Sequence, residues 1–183
     1  MDKPYFAAAR NSSVRAALLR PLAFVLLFAA MYGVLAISWG AGLSHWVIDL
    51  GTVVPAAWFA RAMTGDPAIA AMGSHLSAPD VSINVLFGCE GSDVLMLLCA
   101  ALLVSPSPAP KRLAGLVAGI GLVFLINQAR LLALFFVFRH HRGWFGTVHG
   151  LVGPMSVVVG VTAFFLLWLR WTQAPRVADG TAA

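Results

Sequence analysis

The stretch "FGCEGSDVLML", residues 87–97, sets Cys89 in a glycine-rich turn, follows it with Glu90 and Asp93, and then becomes wholly apolar. A thiol in that setting suits nucleophilic chemistry. Gly88 and Gly91 clear space for a substrate backbone to approach. The position just ahead of a helical run places the sulfur near a helix amino terminus, which favours the thiolate. Glu90 and Asp93 act in the opposite direction, so an activated Cys89 needs a nearby cation.

Two residues could supply it. Arg130 stands in "INQARLLALFF", inside an apolar run, where a guanidinium costs from about 2.5 to more than 10 kcal/mol and marks a functional site by default. Asn127 lies three residues earlier and shares its helical face. His149, in "GTVHG" ahead of the last apolar run, could act as a base opposite the thiol.

Each residue also has a plainer reading. Arg130 could pair with Asp93 or Glu90 and hold two helices together, and Cys89 could pack as a small hydrophobe. His140, His141, His149 and Cys89 match no standard zinc spacing, and no cofactor is expected. Cys99 lies ten residues along the same expected helix, about 15 Å away, too far for a disulfide. That argues against a thiol oxidoreductase and leaves Cys99 as packing.

The elements that must position these residues are membrane spans. Of 183 residues, 60% are hydrophobic and only 10% charged, with a mean hydropathy of +0.87; soluble domains carry about 25% charged residues. The expected fold is an all-α integral membrane protein. It has about four transmembrane helices, at 19–38, from Gly91 to Val104, at 113–138 and at 151–171. An interfacial helix is expected at 45–63, where Asp49, Pro55 and Arg61 interrupt the apolar residues. The segment 65–88 reads as a small hairpin outside the membrane, with Val81, Ile83 and Val85 on one face and Ser82 and Asn84 on the other. Residues 1–18 form a basic cytoplasmic amino terminus, 19–171 a single polytopic domain, and 172–183 a disordered tail. The amino-terminal apolar run is too long for a signal peptide and reads as a retained anchor.

Charge orients the chain. With the amino terminus inside, Lys3, Arg10, Arg15, Arg20, Lys111, Arg112, Arg170 and Arg176 are cytoplasmic, whereas Arg61, Arg139 and Arg142 lie outside. This satisfies the positive-inside rule and turns Cys89 and His149 outward. The basic residues form no stripe with interleaved aromatics, so no nucleic-acid partner is expected. Gly115 and Gly119 form a GxxxG pair suited to close helix packing. Trp144, Phe145, Trp168 and Trp171 read as interfacial belt residues.

Cysteine, intramembrane arginine and outer histidine in that order, within "FGCEGSDVLMLLCAALL", "INQARLLALFF" and "GTVHGLVG", resemble the exosortase/archaeosortase family of membrane-embedded cysteine transpeptidases. The resemblance covers residues from about 80 to 170, and the small size is similar to the exosortase H type. It implies Cys89 as nucleophile, Arg130 as stabiliser of thiolate or oxyanion, and His149 as general acid/base, with Asn127, Glu90 and Asp93 in support. It further implies exported protein substrates ending in a short motif, a transmembrane helix and a basic tail, processed at the outer side of a bacterial inner membrane. Glu90 departs from the neutral residue expected after the family's cysteine. About four crossings are fewer than many members have, which leaves room for a homo-oligomer to complete the cavity. Two other functions fit the residues: a thiol protease that releases its product to water, and a non-catalytic assembly subunit. A transporter fits poorly, because no inverted repeat or pair of broken helices is visible.

Overall fold

The computed structural model describes the backbone of residues 4–173 and the side chains of 18–173. Helix α1 (Pro4–Ser38) is followed by a wide helical turn, Trp39–Leu43, in which Gly42 at φ 98° turns the chain. A second wide helix, His45–Val53, runs into α2 (Val54–Thr64), which Gly65 ends in the left-handed conformation, its N–H bonded to the Arg61 carbonyl.

Three antiparallel strands come next: β1 (Ala70–Met72), β2 (His75–Ala78) and β3 (Val81–Asn84), in the order β1-β2-β3. Leu76 faces Ile83 in the register. Val81, Ile83 and Val85 are buried while Ser82 and Asn84 are exposed, the alternation expected of a half-buried strand. The expected hairpin is therefore β2-β3 of a three-stranded sheet. β1 was not legible because its three residues, "AAM", include none of the branched or aromatic residues that mark strands.

Helix α3 (Ser92–Val104) starts at Gly91, whose φ is 84°, and stops at the proline-rich turn, where Ser105 is extended. Arg112 donates to the carbonyls of Ser105 and Ser107 and closes that turn. Helix α4 (Ala109–His140) carries Pro110 in its first turn, and its 32 residues span about 48 Å against roughly 30 Å of hydrocarbon. Its excess length projects into the sheet. A short helix α5 (Phe145–Thr147) and a wide turn, Val148–Val152, lead into α6 (Gly153–Gln173).

The molecule is a helical protein, and among the described residues three stretches are long and apolar enough to cross a bilayer: Leu18–Leu43, Ala109–His140 and Arg142–Gln173. The fourth expected span, α3, has 13 residues and is shorter than a full crossing. Thr172 and Gln173, placed in the expected tail, belong to α6, and the rest of that tail lies outside the described residues.

Two clusters form the interior. One joins the sheet, α2 and the carboxy-terminal part of α4 through Ile48, Val53, Leu76, Val85, Leu134 and Phe135. The other joins α3, α4 and α6 through Leu98, Leu102, Val123, Val157, Val161 and Trp168. Trp168 is a correction to the belt reading: it is only 4% exposed, lies directly against Gly115, and donates its indole N–H to the Lys111 carbonyl. A Cβ on Gly119 would come within 2.9 Å of Leu98. The GxxxG pair thus admits two large side chains from neighbouring helices.

Arg139 clamps the sheet to α4. It binds Asp66 at 3.1 Å and Asp80 at 3.0 Å, ahead of β1 and in the β2-β3 turn respectively. The sequence reading counted Arg139 only as an outward charge.

Candidate functional site

Cys89 occupies the turn between β3 and α3. Its N–H bonds to the Leu86 carbonyl at 2.9 Å, and its half-buried side chain packs on the cluster that joins the sheet to α4. Gly91, two residues on, faces α4 so closely that a Cβ there would sit 3.4 Å from Asn127 Cγ. The left-handed glycine and the absence of a side chain together let the cysteine turn lie against α4 at the level of Asn127.

One turn further along the same face, Arg130 meets the start of α6. A Cβ on Gly153 would lie 2.9 Å from Arg130 Nε and 3.1 Å from the Val148 carbonyl. Arg130, Ala129, Ala133, Val148, Gly153 and Ser156 line a cleft of about 320 Å³ between α4 and α6. His149 sits in the wide turn immediately before α6, exposed, with its ring stacked on Phe145 at 5.6 Å and 8°. Phe145 and Val148 pack on the same cluster as Cys89.

The turn bearing Cys89 and the start of α6 that follows His149 therefore meet α4 over one turn, residues 127–130, which carries Arg130. Their reactive side chains share no hydrogen bond among the described residues. Such bonds are commonly long or absent before substrate binds.

The plainer reading of Arg130 fares worse. Among the described residues it forms no ion pair with Glu90 or Asp93, and its Nε is buried without a hydrogen-bond partner. Glu90 is buried and accepts a hydrogen bond from Ser92 through Oε1. Asp93 lies in the first turn of α3, with Oδ2 3.6 Å from where a Cβ on Gly88 would stand. Asn127 is 3% exposed. Cys99 is half-buried within α3, and both cysteines are free.

One polar residue beside the site escaped the sequence reading. Gln128 is 3% exposed and donates to the Thr52 carbonyl at 3.3 Å, while Thr52 donates to the Val47 carbonyl at 2.8 Å. The first bond ties α4 to the wide helix at 45–53, and the second lies within that helix. The signal was the adjacency of Asn127 and Gln128: neighbours on a helix point about 100° apart, so one faces the cysteine turn and the other faces Thr52.

No cluster of three His, Cys, Asp or Glu side chains suited to a metal stands among the described residues. No protein-family model, curated protein or solved structure matches the chain.

Proposed function

We propose that this chain is a membrane-embedded cysteine transpeptidase of the exosortase kind, cutting the carboxy-terminal sorting signal of exported proteins and passing them to an acceptor. The observation that carries the reading is the convergence on one turn of α4: Gly91 against Asn127 brings in the cysteine turn, and Gly153 against Arg130 brings in the histidine turn. In this reading α1, α3, α4 and α6 are four crossings, with α3 shortened because its outer end opens into the site. The helix at 45–64 and the sheet lie at the outer face of a bacterial inner membrane.

The chemistry follows from the residues. The Cys89 thiolate attacks the scissile carbonyl carbon, and the electron pair moves onto the oxygen, where the Arg130 guanidinium meets the developing charge. Collapse of that intermediate breaks the C–N bond, His149 gives a proton to the departing amine, and a thioester to Cys89 remains. An acceptor nucleophile, deprotonated by His149, then takes the acyl group and releases the thiolate. Water as acceptor would make the same site a simple protease.

The decisive experiment incubates purified protein with a peptide bearing a sorting motif, an apolar helix and a basic tail, with hydroxylamine as surrogate acceptor in one sample and an acid quench in a parallel sample without it. An acyl adduct on Cys89 is expected after the acid quench, and a hydroxamate at the new carboxyl terminus is expected where hydroxylamine is the acceptor. A free acid as the sole product would replace transfer with hydrolysis. Cleavage without any adduct would remove the thiol mechanism.

A further inference from the structure

The turn that leads into α3 holds more buried acceptors than it has donors to match. Glu90 Oε2, Asp93 Oδ1 and Asn127 Oδ1 are all buried without a hydrogen-bond partner among the described residues. Glu90 is 8% exposed and Asn127 3%. The Asn127 oxygen is aimed at the turn, 3.5 Å from where a Cβ on Gly91 would sit, between the two acids in sequence. The nearest fixed cation in sequence, Arg130, instead lies against Gly153 and the Val148 carbonyl on the α6 side.

A buried carboxylate, a half-buried one with a buried oxygen, and an amide oxygen packed against the turn that carries them call for a positive partner, since unpaired charge in a protein interior is costly. The donor set consists of oxygen alone, which selects hard cations over zinc or copper. Two negative charges favour a divalent ion over sodium. An irregular turn, with Gly88 at φ 85° and Gly91 at φ 84°, suits the flexible coordination of calcium better than the strict octahedron of magnesium.

We propose that Glu90, Asp93 and Asn127 bind a calcium ion at the amino-terminal turn of α3. Backbone carbonyls of the turn and water complete its shell. The ion answers the question raised by two acids beside a nucleophilic thiol: bound calcium cancels their charge and leaves Arg130 free for the substrate oxyanion. The site stands whether or not the transpeptidase reading holds.

The test uses the full-length protein in detergent, treated with chelator and then titrated separately with calcium, magnesium and sodium chlorides at matched ionic strength. Radiolabelled calcium is expected to bind at one ion per chain. The melting temperature is expected to rise by roughly 5 °C or more at saturation, with at least tenfold weaker magnesium binding and no sodium response. Glu90→Gln and Asp93→Asn should each weaken calcium binding at least tenfold. Asn127→Asp, which keeps the size of the side chain and adds a charge, should tighten it. Absence of calcium binding, an equal response to all three salts, or unchanged affinity in all three variants would overturn the proposal.

Discussion

Arg130 and Gly153 are a matched pair: the guanidinium passes α6 only because position 153 carries no side chain. Gly153→Ala would press a methyl group onto Arg130 Nε and the Val148 carbonyl. Arg130 is then displaced while the helices remain packed. The expected result is about a tenfold fall in the rate of substrate processing, with membrane abundance close to wild type. Arg130→Gln removes the charge outright and should cost on the order of 100-fold or more, the usual penalty for losing an oxyanion donor. Equal losses of abundance and processing in both variants would make the pair structural. Cys89, Arg130, Asn127 and His149 could be singled out from the sequence because an arginine in an apolar run and a cysteine flanked by glycines are each hard to explain as packing. Gly153 could not, since its importance lies entirely in what α4 brings against it.

At the scale of elements, α3, α4 and α6 owe their spacing to small residues. Gly115 receives Trp168, and Gly119 receives Leu98 and Phe164. Gly115→Leu would expel the indole and break its bond to Lys111, overpacking the contact at a cost of about 1–3 kcal/mol. A lower melting temperature and a red-shifted tryptophan emission are expected, and an unchanged spectrum would contradict this packing. The GxxxG spacing announced a close contact but not its partner. Trp168 read as a belt residue because tryptophan near the end of an apolar run has that meaning in most spans. The sheet was half legible for a related reason: β3 alternates cleanly, whereas β1 is alanine-rich and is held by pairing with β2 and by the Arg139 clamp on its preceding loop.

For the whole molecule, composition alone established the helical membrane class, and charge alone suggested its orientation. The orientation is directly measurable. A membrane-impermeant maleimide added to spheroplasts should label Cys89 from outside in a Cys99→Ala background, and a cysteine placed at position 107 in the α3-α4 turn should stay unlabelled until the membrane is opened. The reverse pattern would invert the topology and remove exported substrates from consideration. Helix α3 has only 13 residues and packs on α1 and α4. The proposed site, recessed into the membrane, calls for the polar amino-terminal end that α3 carries.

The most direct measurement compares processing of a tailed substrate by wild type, Cys89→Ser and Cys99→Ser, with the membrane level of each protein quantified. A catalytic thiol in the turn before α3 requires that Cys89→Ser abolish processing at normal abundance while Cys99→Ser stays active. Processing that survives the Cys89 change, or that falls alike in both variants, would contradict it and leave Cys89 as a packing residue.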